Sequence, residues 1–185
     1  MLQFNQKRER SITVSNKTTV GLEIERKYII KMPDPAVLAS CEGYSATPIL
    51  QIYLPAADGE TRRVRRRVMP DRIAYIETRK IHVDNMSSTE IEGEITEAEF
   101  LSLAATPLDG TSPIKKTRHS FTYRGQLFEI DVYPQWQHTA IMETELSGRE
   151  VMVDMPSFID IVREVTGIKA YSNASMSREF PPEEK

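Results

Sequence analysis

The chain has 185 residues, 39% hydrophobic and 28% charged, with a formal net charge of −3. That size suits one domain with a real core, and the composition is ordinary for a soluble globular protein. One cysteine, Cys41, excludes an internal disulfide, no Cys/His spacing suggests zinc, and no apolar run approaches the ~20 residues that span a bilayer.

Residues 1–18 read as a flexible polar N-terminal arm and 19–185 as a single domain. The arm lacks the apolar stretch of a signal peptide, so a cytoplasmic location without membrane association is expected. The first strand is predicted over 21–31. Side chains alternate along a strand, so Glu23, Glu25 and Lys27 share one face while Leu22, Ile24, Tyr28 and Ile30 take the other. Met32-Pro33-Asp34-Pro35 breaks it, and a short helix is expected over 35–41. Residues 49–54 and 61–69 read as a hairpin across Asp58-Gly59. Strands over 72–82 and 89–95 follow. Thr96 has the chemistry of an N-cap, with Glu97 and Glu99 in the first turn, so a helix runs to about Ala105. Residues 113–123 and 126–133 make a hairpin across Arg124-Gly125, and 139–147 add a strand. Pro156 is expected to start a helix over 157–166 that ends at Gly167, and 171–178 form a last short helix. The sum is about eight strands joined mostly by hairpins, a mainly β, α+β domain. Such an antiparallel sheet leaves two open edges unless it closes into a barrel.

The charge pattern of the first strand returns along the chain. Arg63 and Arg65 share a face, with Arg67 continuing the row. So do Thr78 and Lys80, Glu90 and Glu92, Lys116 and Arg118, Glu129 and Asp131, and Glu143 and Glu145. Apolar residues such as Ile24, Val64, Ile91 and Ile130 stand between them. A solvated outer sheet face explains any one pair. It explains the set less well, because the charges sort by sign from strand to strand. If the sheet closes with these residues inward, the bore cannot be dry and unpaired, since an uncompensated buried charge costs several kcal/mol. Cationic groups call for phosphate-type oxygens, and clustered carboxylates for a hard cation such as Mg2+ or Mn2+. The expected ligand is a metal-bound polyanion, most simply a triphosphate.

Taken in order, Glu23-x-Glu25-x-Lys27, Gln51-x-Tyr53, Arg63-x-Arg65, Thr78-x-Lys80, Glu90-x-Glu92, Lys116-Thr117-Arg118, Phe128-Glu129-Ile130-Asp131, Glu143-x-Glu145 and Tyr171-Ser172-Asn173 resemble the motifs of the CYTH superfamily, the triphosphate tunnel metalloenzymes. The resemblance covers about residues 21–177. It implies a closed eight-stranded antiparallel barrel, a tunnel with helices packed outside, and a metal-dependent enzyme acting on a triphosphate. It implies metal ligation by Glu23, Glu25, Glu143 and Glu145, with Glu90, Glu92, Glu129 and Asp131 as further ligands or supports. Lys27, Arg63, Arg65, Lys80, Lys116 and Arg118 would grip phosphates.

By the same resemblance Lys116, Glu23 and Glu25 form the catalytic set. A lysine crowded by Arg118 can have a lowered pKa and help to orient or deprotonate water; alternatively Lys116 only pairs with substrate charge. The Glu-Ile-Glu-Arg-Lys-Tyr, Gln-Ile-Tyr and Phe-Glu-Ile-Asp-Val runs look most like bacterial inorganic triphosphatases, which favours tripolyphosphate as substrate. The alternatives are a class IV-type adenylyl cyclase making cyclic AMP and pyrophosphate, and a polyphosphate- or nucleotide-binding module without turnover. Ser88 and Ala174 stand where basic residues are common in such proteins, which would weaken the grip on one end of the substrate.

Strand geometry splits the run Arg62–Arg67 between two faces, and no interleaved aromatics support base stacking, so no nucleic-acid partner is expected. Tyr133 with Trp136 reads as packing, Cys41 as a buried small apolar residue, and Glu183-Glu184 as a solvated tail. A homodimer partner could cover apolar outer surface that the helices leave bare.

Overall fold

The computed structural model describes residues 11–15, 18–84 and 87–184. Its elements in chain order are β1 (Ser11–Ser15), β2 (Thr18–Lys31), α1 (Pro35–Ala39), β3 (Glu42–Leu54), β4 (Glu60–Val68), β5 (Ile73–His82), β6 (Ser87–Ile95), α2 (Glu97–Ala104), β7 (Ile114–Tyr123), β8 (Gln126–Val132), β9 (Thr139–Glu145), β10 (Ile161–Glu164) and α3 (Asn173–Met176), with a 3-10 turn at Lys169–Tyr171 before α3. No helix among the described residues is long and apolar enough to cross a membrane.

The sheet runs β2-β6-β5-β4-β3-β7-β8-β9 and returns to β2, every pairing antiparallel, so eight strands close into a barrel. Closure depends on the 14-residue length of β2. Thr18–Ile24 pair with β6, and Glu25–Lys31 pair with β9. The two remaining strands lie alongside the ends of this seam. β1 pairs with Thr18–Gly21, and β10 with Tyr28–Ile30, beyond the last partner of β6. Of the arm expected over 1–18, residues 1–10, 16 and 17 lie outside the described residues, while Ser11–Ser15 form a strand and not a free arm. The backbone groups of β2 that β9 leaves unpaired offer it a ladder.

The helix expected over 157–166 is a second correction, because its core is β10. The β-branched Ile161, Val162 and Val165 favour strand over helix when a strand edge is offered. Arg163 faces Ile29 and Glu164 faces Tyr28 in the ladder, and Val165 N–H donates to the Lys27 carbonyl at 2.8 Å.

Other local signals act where the sequence puts them. Thr96 and Glu99 close a full capping box on α2. Arg124 and Gly125 both have positive φ, 49° and 80°, which gives the β7–β8 hairpin the twist its strands need.

The hydrophobic core lies mainly outside the barrel wall. Phe100 of α2 covers Leu54 and Val64. Leu38 of α1 and Ile159 cover Tyr28, Ile30, Phe121, Phe128, Ile130, Ala140 and Met142. Cys41 is half-buried at the edge of that cluster and forms no disulfide. A third cluster is different. Ile29, Ile114, Tyr133 and Ile141 have the strand parity of the charged bore residues, and Trp136, Tyr171 and Met176 pack onto them. One end of the bore therefore has an apolar floor, formed with the 3-10 turn and α3.

Tyr133 and Trp136 meet edge to face in this floor, with ring centres 5.8 Å apart, and Tyr133 donates to Asn173 Oδ1 at 2.9 Å. The tail is not a solvated end. Glu183 accepts the Thr139 backbone N–H at 2.8 Å, and Glu184 pairs with Arg163, because the floor turns their carboxylates toward free donors.

Candidate active site in the barrel bore

Every strand of the barrel contributes a polar row to its interior. The sequence spacing of two puts the rows on one face, and closure of the sheet makes that face concave. The proof of inward orientation is contact between strands that are not neighbours. Arg63 on β4 reaches Glu90 on β6 at 2.8 Å, across β5. Lys80 on β5 reaches Glu23 on β2 at 3.1 Å, across β6. Arg118 on β7 reaches Glu143 on β9 at 2.8 Å, across β8. Meanwhile Val64 and Ile130, the residues between, are fully buried on the outside.

The β7–β8–β9 wall is saturated with opposite charges. Arg118 donates to Asp131 through Nε at 2.7 Å and through a second nitrogen, also at 2.7 Å, and it contacts Glu129 and Glu143. Lys116 donates to Asp131 at 2.5 Å. Lys27 of β2 donates to Glu143 at 2.7 Å and lies 3.7 Å from Glu25. Burial alone would raise the two carboxyls. Arg118 and Lys116 overcome it at Asp131, and Lys27, Arg118 and Lys116 overcome it at Glu143, so both are held below the usual carboxylate range. Lys116 goes the other way. Burial, then the charge of Arg118, push it down to about 8, against the pull of Asp131 and Glu143.

The facing wall, from β4, β5, β6 and the first half of β2, puts like charges together. Burial and the hydrogen-bonded Glu90 carboxyl raise Glu23 to about 8, although Lys80 opposes them. Burial works against Glu90 ionisation too, but the hydrogen bond from Glu23 and the charges of Arg63, Lys80 and Arg65 hold it at about 2. Glu23 thus keeps a proton and Glu90 the charge. Burial and the neighbouring Arg63 lower Arg65 to about 10, still protonated at neutral pH. Arg65 pairs with Glu92 and donates to Thr78 Oγ1 at 2.9 Å.

Most of the residues singled out in the sequence meet here: Lys27, Arg63, Arg65, Lys80, Lys116, Arg118, Glu23, Glu90, Glu92, Glu129, Asp131 and Glu143. Glu25 and Glu145 face each other across β2 and β9 nearer the open end, with Glu145 exposed. Among the described residues no three His, Cys, Asp or Glu side chains converge as a preformed metal site. The donor set still fits a hard divalent cation, because two carboxyl groups that must share a proton offer oxygens such a cation takes in the proton's place.

Three features went unassigned in the sequence. Gln51 is wholly buried and donates through Nε2 to the Tyr53 hydroxyl at 2.9 Å. Arg67 extends the arginine row. Among the described residues, the buried Nε–H groups of Arg63, Arg65 and Arg67, and the Gln51 Oε1, find no hydrogen-bond partner. Alternation with period two flagged Arg67 without giving it a role; nothing in the sequence marked Gln51 as orphaned.

A closed antiparallel barrel whose ionic groups face its own axis is an unusual class, since most small barrels fill their interior with apolar side chains. This class matches solved structures. The crystal structure of the inorganic triphosphatase NE1496 matches with TM-score 0.55 and 27% identity, over 86% of this chain and 97% of that one. PH1819 from Pyrococcus horikoshii OT3 matches with TM-score 0.50 and 20% identity over 69% of this chain and 80% of its own, and Pfu-838710-001 from Pyrococcus furiosus with 0.51 and 21% over 72% and 81%. These two speak to the fold alone. No family model and no curated protein sequence matches the chain. In its barrel and its ordered charge pairs the chain is similar to the inorganic triphosphatase NE1496, in keeping with the resemblance of its motifs to the CYTH superfamily.

Proposed function

We propose that this protein hydrolyses a triphosphate, with inorganic tripolyphosphate as the favoured substrate, in a reaction that needs Mg2+ or Mn2+. The observation that carries the reading is the row of buried, unsatisfied Nε–H donors on Arg63, Arg65 and Arg67. An unmade buried hydrogen bond costs about 1–3 kcal/mol, so three in line describe a surface completed by a ligand rich in acceptors. Phosphate oxygens meet that description, and guanidinium forks suit them. The likeness to a triphosphatase at 27% identity supports the same chemistry.

Lys27, Arg63, Arg65, Lys80 and Arg118 bind and orient the phosphate chain. Glu23, Glu25 and Glu90 would hold the cation, with Glu92, Glu129, Asp131, Glu143 and Glu145 as further ligands or supports. When bound, the ion supplies neutralisation of charge on the phosphate oxygens. Lys116 takes a proton from the attacking water in the fraction that is neutral, which burial and Arg118 make accessible near pH 8. Water oxygen bonds to the terminal phosphorus, the bond to the bridging oxygen breaks, and its electron pair leaves on pyrophosphate.

The experiment is release of phosphate from tripolyphosphate, ATP and thiamine triphosphate with each metal, with Glu23→Ala as control. Release that needs metal and Glu23 is expected. Cyclic AMP from ATP without free phosphate would replace the reading by a cyclase, and tight binding without product over hours by a binding module.

A further inference from the structure

We propose that Gln51 is the residue that orients the attacking water, a role that rests on the hydrolase reading above. Its side chain is wholly inside the barrel. Its Nε2 is committed to the Tyr53 hydroxyl at 2.9 Å, which fixes the amide and leaves Oε1 pointing elsewhere. That oxygen is buried without a partner. The register sets it between Arg65 on β4 and Ile114 on β7. Ile114 belongs to the apolar floor and has no hydrogen to give. The nearest row of donors, the Nε–H groups of Arg63 and Arg65, is unpartnered as well and does not bond to it.

The chemistry of these orphans differs. An ionised polyphosphate presents acceptors only. It satisfies the three guanidinium Nε–H groups and does nothing for Gln51, whose oxygen is itself an acceptor. A buried carbonyl is satisfied by a hard cation or by a species that carries O–H. Gln51 stands on β3, away from the paired Glu23 and Glu90 and one strand from Lys116, which favours the O–H of a hydrolase's nucleophile. Lys116 is the next residue beyond Ile114 on the same inner face of β7, opposite Ile49, so acceptor and base stand on neighbouring strands. One water hydrogen goes to neutral Lys116 as the oxygen bonds to phosphorus. The other, held by Gln51 Oε1, stays on the phosphate product. Gln51 gains no proton, because an amide accepts a hydrogen bond without accepting the charge. Such a group lowers the barrier by alignment and contributes little to substrate affinity.

The test compares wild type, Gln51→Leu and Gln51→Glu on tripolyphosphate with Mg2+, measuring kcat, KM and thermal unfolding. Gln51→Leu removes the acceptor and is expected to lower kcat about 100-fold while KM stays within about twofold. Gln51→Glu keeps an acceptor at the same reach and should recover a large part of kcat; it also carries the test if the leucine variant fails to fold. Full kcat in folded Gln51→Leu, no recovery of kcat in folded Gln51→Glu, or kcat, KM and unfolding temperature falling together, overturns the assignment and leaves Gln51 a packing residue. Failure of the underlying reading looks different: wild type itself would release no phosphate from any triphosphate with Mg2+ or Mn2+, and the role of Gln51 would fall with it.

Discussion

The two walls of the bore use the same residue types to opposite ends. On β7–β8–β9, each charge has at least one opposite partner: Arg118 spans Glu129, Asp131 and Glu143, Lys116 meets Asp131, and Lys27 meets Glu143. On β4–β5–β6 and the start of β2, Glu23 lies against Glu90 and Arg65 beside Arg63, and guanidinium donors go unused. The first wall is complete as it stands and anchors the barrel. The second also pairs Arg63 with Glu90, Lys80 with Glu23 and Arg65 with Glu92, but it leaves the Nε–H groups of Arg63, Arg65 and Arg67 unmade, which is how a surface looks when its missing partner is a ligand. Buried ionic groups therefore differ in how far the fold itself satisfies them: one wall is held in place by its own ion pairs before any ligand arrives, and the other keeps donors for the ligand to fill.

The comparison breaks most sharply at Asp131, which is fully buried and holds both Lys116 and Arg118. Asp131→Ala should destabilise the protein by about 3–5 kcal/mol in urea unfolding, because buried Lys116 loses its paired carboxylate and Arg118 one of its three. A loss near that of an exposed pair, below about 1 kcal/mol, would show that the wall is wet and not a structural network. On the opposite wall the effect should fall on catalysis. Arg65→Ala is expected to cost about 100-fold in kcat/KM for tripolyphosphate, with a smaller loss of stability than Asp131→Ala; equal losses in both would erase the distinction.

Titration sharpens the contrast further. With Lys116 pushed down to about 8, kcat/KM should climb as pH rises through that value and then level off. Lys116→Arg cannot lose its proton in this range and should abolish the climb. The Glu23–Glu90 contact predicts a stability trend in metal-free protein. Glu23 holds its proton to about 8 in the fold, whereas an unperturbed glutamate gives it up near 4.5. The folded state binds more protons than the unfolded chain between those values, so stability falls as pH rises across that window. Thermal unfolding between pH 5 and 9 reads it, and Glu23→Gln should flatten the slope. The smallest effect belongs outside both walls. Thr96→Ala removes the α2 capping box and should cost about 1 kcal/mol with triphosphatase activity unchanged.

Much of this barrel was legible because period two is hard to hide. Glu23, Glu25 and Lys27 could be placed on one face of a strand without any neighbour, and so could each later pair. The hairpin at Arg124-Gly125 and the cap at Thr96 are local chemistry and appear where expected. The segment around Ile161–Glu164 misled because Pro156 and Gly167 frame it like a helix, whereas the edge of β2, far away in sequence, offers hydrogen bonds that only the folded chain presents. Glu183 and Glu184 read as a free acidic end for the same reason: their partners, Thr139 and Arg163, come together only once the floor has formed.

Alternation by itself fixed which side chains share a face, and therefore that, apart from the mixed row Glu23, Glu25 and Lys27, acids and bases occupy separate strands of one surface. It could not fix who meets whom. That Lys27 finds Glu143, that Arg63 reaches over a strand to Glu90, and that Gln51 is left with a bare oxygen all depend on closure and stagger of the sheet. Pairing across a barrel is set by distances in space between strands remote in sequence, and these exist only when β2 joins β6 to β9.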